Sequence, residues 1–207
     1  TDSIYDQLNA YGTIAKQRVV ETFSGDALDT DRWTQRNITG TGTFNMDDTS
    51  ESNRGGVRIL TGASTDSKIA IDFNSIRQYS HDGSVFIAVC RRSDSSTRVS
   101  YGLTNTTGRT FNFADHVDST ANTYKSLRTA DGSTISETQG TDTVDETMAT
   151  IKLVLSSSNI IMSKNNVTDV TKTTNRPTVR LMPSFEALTL DGSANGGNLR
   201  YLEVYNT

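Results

Sequence analysis

The chain has 207 residues, a formal net charge of −4 and a hydrophobic content of 33%. This length suits one sizeable domain, and the low apolar content favours a thin two-layer core over a thicker one. The 20 basic residues are scattered along the sequence, which excludes a basic groove for nucleic acid. The sequence shows no apolar run long enough to span a bilayer and no signal-peptide pattern, so we expect no membrane partner.

The amino-terminal segment differs in pattern from everything after it. Apolar residues follow one another at spacings of three to four at Ile4, Leu8 and Tyr11. The pattern predicts a short amphipathic helix over residues 3–17. Its apolar stripe must dock on something, because so short a helix is only marginally stable alone in water. We therefore expect residues 1–18 to form a docking arm, which packs either on its own domain or on a neighbouring chain.

The rest of the chain, residues 19–207, consists of short apolar runs separated by turn residues. Residues 68–73 alternate between apolar and other side chains, whereas residues 85–90 are apolar on both faces, as in a central strand. Asn165 and Asn166 lie between two such runs and indicate a hairpin, because asparagine tolerates positive φ. About ten to twelve strands with no helices between them exclude a parallel βαβ architecture. The sequence therefore predicts an all-β antiparallel sandwich.

Two stretches carry a resemblance to the concanavalin A-like lectin/glucanase superfamily, which includes laminin-G-like domains. In the first, an aromatic residue precedes a Gly-Asp turn, and a Trp follows a Leu-Asp step; these residues are Phe23, Gly25-Asp26, Leu28-Asp29 and Trp33. The second runs from residue 150 through Asn165-Asn166 to residues 199–205, and resembles the closing hairpin and the last strand, which in the family returns beside the first. The resemblance implies a two-sheet jelly roll whose concave face holds glycans in many relatives.

The sequence departs from the catalytic relatives in this superfamily at the motif that carries their chemistry. Those relatives have a strand motif of the type Glu-x-Asp-x-Glu, which places two carboxylates on one face as acid and nucleophile. That spacing is absent around every glutamate of this chain, namely Glu21, Glu51, Glu137, Glu146, Glu186 and Glu203. We therefore expect a non-catalytic member. A polysaccharide-cleaving enzyme whose carboxylates converge from separate loops stays as an alternative.

Candidate carbohydrate-binding residues lie at the end of the central strand and on the next run. Arg91 and Arg92 end the apolar run, and Arg98 and Tyr101 are expected across a hairpin from them. Planar guanidinium groups beside an aromatic ring are typical of sugar recognition. The alternative is a solvated strand end with ordinary cross-strand pairs.

The sequence predicts neither a disulfide nor a dedicated metal site. Cys90 is the single cysteine, and it lies in the apolar central run, where a small buried side chain is expected. His81 and His116 have only adjacent aspartates as possible co-ligands. Calcium, which several lectin relatives bind, is the one cofactor to consider, with oxygen ligands from the turn residues Asp47, Asp48 and Asp191, although no dedicated calcium loop is present.

Two function classes remain. The first is a structural subunit of a larger assembly, such as a decoration (cement) protein on a viral capsid, that docks through Ile4, Leu8 and Tyr11 and forms a homo-oligomer. The second is an extracellular lectin-like module that binds a surface glycan. The Thr-rich surface, the lone cysteine and the amphipathic arm favour the first class and a location on the virion surface.

Overall fold

A computed structural model describes residues 18–24, 27–46, 56–73, 78–92, 96–105, 110–119, 122–141 and 147–207. The predicted helix over residues 3–17, with Ile4, Leu8 and Tyr11, lies outside these residues. Within the described ranges every regular element is a β-strand. No helix there has the length and apolarity that crossing a membrane would require.

Fifteen strands make up the described part of the chain. They are β1 Arg18–Glu21, β2 Trp33–Thr39, β3 Gly42–Met46, β4 Val57–Thr61, β5 Lys68–Phe73, β6 Gly83–Arg92, β7 Thr97–Asn105, β8 Thr110–Ser119, β9 Asn122–Asp131, β10 Ile135–Gln139, β11 Ala149–Ser156, β12 Ile160–Lys164, β13 Val167–Lys172, β14 Met182–Thr189 and β15 Gly196–Asn206.

These strands form two antiparallel sheets. The eight-stranded sheet has the order β13-β12-β11-β6-β15-β4-β3, and β1 also pairs with β15. The seven-stranded sheet has the order β10-β9-β8-β7-β14-β5-β2. The prediction of an all-β, two-sheet sandwich is confirmed. The first strand pairs with the last, with Arg18 opposite Tyr205, as the resemblance implied.

The core fills the space between the two sheets and follows the period of two that strands impose. In β11 every second residue is buried, and the central strand β6 contributes the buried side chains of Phe86, Ala88 and Cys90. Trp33 is 1% exposed, and its ring centroid lies 5.3 Å from those of both Phe23 and Phe73. Trp33 therefore anchors the core, where full burial of a large apolar side chain contributes about 1.5–3 kcal/mol.

The connection from β6 to β7 corrects one expectation. The two strands are consecutive in the chain but belong to different sheets, so they do not form the expected hairpin. The Tyr101 hydroxyl donates a hydrogen bond of 2.6 Å to the main-chain oxygen of Arg91, which ties β7 to β6 across the core. A hairpin within one sheet and a connection between two sheets both appear in the sequence as an apolar run, a polar turn and a second apolar run. The sequence pattern alone therefore cannot distinguish the two.

The hairpin between β12 and β13 is present where the sequence predicts it. Lys164 pairs with Val167, so the loop consists of Asn165 and Asn166 alone. Both residues have positive φ, 47° and 67° respectively. This is the backbone that a two-residue hairpin loop requires, and asparagine adopts it at lower cost than most residues.

Candidate functional site

The outer face of the seven-stranded sheet, turned away from the core, carries an unusual set of buried polar side chains. Val99, Tyr101 and Leu103 of β7 point into the core, so the alternate residues of β7 and of its neighbours β14 and β5 lie on this outer face. Such a face is normally wet and polar. Here, however, Ser184 is fully buried and Glu186 is only 4% exposed.

Asp72 is the first charged centre of this face and is held by three polar atoms. The Nε of Arg36 donates to one carboxylate oxygen at 2.6 Å, and its Nη2 donates to the other at 3.3 Å. The Ser184 hydroxyl donates to the Asp72 carboxylate at 2.6 Å. These bonds satisfy a carboxylate that is only 3% exposed, because paired hydrogen bonds from a guanidinium are strong and directional.

Glu186 is the second charged centre, and the same arginine bridges it to the first. The Nη2 of Arg36 lies 3.6 Å from one oxygen of Glu186, and the Nζ of Lys68 lies 2.6 Å from the other. Burial lowers the pKa of Arg36, but the hydrogen bond and charge of Asp72, together with Glu186, outweigh it and leave the pKa above its usual value. We call Arg36, Lys68, Asp72, Ser184 and Glu186 the acid–arginine cluster.

An aromatic pair lies on the same outer face, on β8. The rings of Phe111 and Phe113 are stacked, with centroids 5.1 Å apart, and both side chains are buried. The guanidinium of Arg128 lies over them, 4.8 Å from the Phe111 centroid, and donates to the Ser100 hydroxyl at 3.2 Å. A guanidinium within about 6 Å of an aromatic ring centroid is attracted to the ring face. Arg128 therefore covers the aromatic pair.

Arg98 lies one strand away from the acid–arginine cluster, with Leu188 between it and Lys68 in one cross-strand row. Its Nε is buried and has no hydrogen-bond partner. Arg98 makes no ion pair with Asp72 or Glu186, which Arg36 and Lys68 occupy. Arg128 on the same face is likewise separate from these two acids, but it is held by the aromatic pair and by Ser100.

The predicted binding cluster is not brought together as expected. Arg91 and Arg98 lie on the outward faces of different sheets, because their neighbours Cys90 and Val99 both point into the core between them. Tyr101 is fully buried, stacked on Phe185 at 4.9 Å, and its pKa is held well above the usual value by burial. The expectation that Tyr101 offers a ring to a sugar is wrong. Arg92 pairs through its backbone with Gly197.

The candidate metal ligands are dispersed. His81 lines an open cleft of about 360 Å³ together with Asp82, Asp131 and Arg176. The Asp131 carboxylate accepts hydrogen bonds from the backbone of Thr134 and Ser133, which lower its pKa to about 2. No group of three metal-ligating side chains occurs among the described residues.

Asp191 closes its own turn. Its carboxylate accepts a 2.8 Å hydrogen bond from the Ser193 backbone, and this bond lowers its pKa. Asp47 and Asp48 lie outside the described residues, and the structure describes His116 only through its backbone position on β8.

Comparison with solved structures identifies the known fold that this chain shares. A protein of unknown function from Shewanella oneidensis MR-1 superposes with a TM-score of 0.66 over 100% of this chain and 95% of its own, at 11% identity. A β-1,3-glucanase from Mycobacterium marinum gives 0.61 over 90% and 97%, at 10% identity. The metal-free carbohydrate recognition domain of Emp46p gives 0.56 over 84% and 88%, at 9% identity.

The chain has the concanavalin A-like jelly-roll fold. At these identities the likeness shows the fold alone, which glucanases and a lectin domain share. No family model matches the sequence, and no curated protein matches it. Within the concanavalin A-like sandwich, the acid–arginine cluster occupies the outer face of one of the two sheets.

Sequence reasoning missed the acid–arginine cluster. Its acids come from β5 and β14 and its arginine from β2, so no local spacing joins them. A signal was present in residues 68–73, where Asp72 alternates with Ile71 and Phe73 and therefore had to face away from the core. The sequence does not show that Glu186 lies on the same face of the sheet as Asp72.

Proposed function

We propose that this chain is a non-catalytic, lectin-like module that binds a glycan on the outer face of its seven-stranded sheet. The observation that carries the proposal is the acid–arginine cluster, a set of buried, ion-paired and hydrogen-bonded polar groups on a sheet face that is turned away from the core. Binding sites combine a few fixed polar groups with apolar surface. Here Arg36 and Ser184 are fixed by Asp72, and the aromatic pair of β8 lies two strands away from β14.

Rigid, planar hydrogen-bonding groups support this assignment. Arg36 is held by both acids, and Arg128 is held by two rings and by Ser100. Groups that are already fixed lose little conformational entropy when a ligand arrives, which favours binding of flexible, hydroxyl-rich molecules. The glucanase and the carbohydrate recognition domain with the same fold are consistent with a glycan as the ligand.

The absence of catalysis is part of the proposal. Glycoside hydrolysis needs one carboxyl group that donates a proton and a second that attacks or activates water. Asp72 and Glu186 are engaged by Arg36, Lys68 and Ser184, which occupy the oxygens that a substrate would have to reach. The arrangement therefore fits recognition better than bond cleavage.

A glycan array with the whole chain tests the proposal, with Arg36→Lys as the site variant and Arg18→Gln as a control on the other sheet. We expect saturable binding that Arg36→Lys weakens by at least tenfold and Arg18→Gln leaves unchanged. Binding should persist in EDTA, because the proposal needs no metal. Release of reducing sugar from any bound glycan would show an enzyme, and uniform absence of binding would remove the lectin proposal.

A second candidate is the structural subunit of an assembly, such as a capsid decoration protein. The observation that favours it is an apolar patch on the outer face of the eight-stranded sheet, where Ile87 and Val89 of β6 lie beside the cross-strand row of Val85, Val154 and Ile161, with Lys152 and Glu203 on either side of Ile87. A neighbouring copy could pack the stripe of Ile4, Leu8 and Tyr11 on this face.

Sedimentation of the full chain tests this second candidate. We expect an oligomer that becomes a folded monomer on deletion of residues 1–17, and also in Val154→Asp. A full-length chain that sediments as a monomer at every concentration would contradict the proposal.

A further inference from the structure

We infer, building on the proposed glycan site, that the ligand is an anionic glycan and that Arg98 binds its acidic group. The starting point is the balance of charge on the outer face of the seven-stranded sheet. Arg36 and Lys68 are committed to Asp72 and Glu186, with N–O distances of 2.6 Å at the shortest contact of each cation. Arg98 contributes a further positive charge that neither acid neutralises.

The local position of Arg98 strengthens this assignment. It is partly buried, and its Nε has no hydrogen-bond partner within the protein. An oxyanion that accepts hydrogen bonds from the guanidinium would compensate its charge. Leu188 lies between Arg98 and Lys68 in the sheet and places an apolar side chain beside the charge, which weakens screening by water.

The chemistry of the guanidinium selects the class of ligand group. Arginine presents parallel N–H donors that match the paired oxygens of a carboxylate, and it binds sulfate in the same way. A neutral sugar offers hydroxyl groups, which would satisfy the donor but leave the charge uncompensated. The site therefore fits a polysaccharide that carries uronate or sulfate groups, and the two sources are separated by experiment.

Matched polymer pairs provide the test. Binding of the whole chain is measured against polygalacturonate and its methyl ester, and against dextran sulfate and dextran, at physiological salt. We expect one charged polymer to bind at least tenfold more tightly than its neutral partner. Preference within the first pair identifies a uronate, and preference within the second identifies a sulfate.

Arg98→Gln should abolish this preference while the circular dichroism spectrum and thermal midpoint stay unchanged, and Arg98→Lys should retain part of it. Arg18→Gln removes a mostly exposed arginine of the opposite sheet and should have no effect. Equal losses in Arg98→Gln and Arg18→Gln would indicate non-specific polyanion binding and overturn the inference. Equal binding of charged and neutral polymers would overturn it as well, yet leave the proposed glycan site standing; binding to no glycan would remove both.

Discussion

Arg36 stabilises two buried carboxylates at once, so its removal has a predictable cost. In Arg36→Gln, Asp72 and Glu186 lose the cation that they share, and a buried charge is left with incomplete compensation. We expect the free energy of unfolding to fall by about 3 kcal/mol, the lower end for a broken buried pair, because Arg36 is one-third exposed. Urea denaturation measures this loss. The Arg18–Glu203 pair, in which the arginine side chain is 60% exposed, is the control, and Arg18→Gln should cost less than about 1 kcal/mol.

The hydrogen bond from Tyr101 across the core is a second single-residue contribution. Tyr101→Phe keeps the ring on Phe185 but leaves the main-chain oxygen of Arg91 without this donor. We expect a loss of about 1–2 kcal/mol in the free energy of unfolding. Tyr201→Phe, which removes a half-exposed hydroxyl that donates to Glu203, is the control and should change stability much less. Equal losses of stability in the two variants would show that the hydrogen bond between the sheets stabilises the protein no more than the Tyr201 hydrogen bond does.

Lys172 makes stability depend on pH. Its ammonium group is buried between β13 and β10, where it donates to the hydroxyls of Ser136 and Thr138, both at 2.9 Å. Burial lowers the pKa of Lys172, although the charge of Glu137 raises it in part. In the window between this lowered pKa and the ordinary lysine pKa of about 10.4, the unfolded chain holds more protons than the folded one. The free energy of unfolding should therefore rise with pH through that window.

Lys172→Met tests this effect in urea titrations at closely spaced pH values from neutral to pH 10. The rise seen in the wild type should be smaller in the variant. Lys152→Met, a control substitution on the outer face of β11, should leave the wild-type rise in stability with pH unchanged. A pH dependence that Lys172→Met leaves intact would refute the assignment.

At the scale of elements, the β12–β13 hairpin depends on its two-residue loop. Asn166 has a φ of 67°, so a β-branched residue there is strained by about 1–2 kcal/mol, whereas glycine is not. We expect Asn166→Val to lower the midpoint of thermal unfolding and Asn166→Gly to leave it unchanged or slightly higher. If both variants lowered the thermal midpoint by the same amount, the asparagine side chain, and not the backbone angle, would be what stabilises the turn.

The elements also show what the sequence could predict. The sandwich was predictable because alternation of apolar and polar side chains is a local property of the sequence, visible in residues 68–73, and because the Asn165-Asn166 turn marks a hairpin. The cluster was not, because Arg36, Asp72 and Glu186 meet only through the register of β2, β5 and β14, which are far apart in the chain. The error at Tyr101 has a related cause, since alternation places a side chain on one face of a strand but does not reveal which sheet the strand joins.

At the scale of the whole molecule, Cys90 reports on global opening. It is the single cysteine, lies in the central strand β6 and is fully buried. We expect a thiol reagent to label it only as fast as the protein unfolds, so that its labelling follows the same denaturant dependence as the fluorescence of Trp33, the single tryptophan. Rapid labelling in the absence of denaturant, with native tryptophan fluorescence, would show that the sandwich opens locally at β6.

The pairing of β15 with both β1 and β6 has a consequence for how the protein is made. β15 follows every other described strand of this sheet along the chain, supplies Leu199, Leu202 and Val204 to the core and lies between strands synthesised much earlier. The eight-stranded sheet therefore stays split until β15 has been synthesised, with the edges of β6 and β4 unsatisfied meanwhile. Nascent chains that stall before residue 196 should need chaperone protection, because open strand edges and uncovered apolar surface promote aggregation.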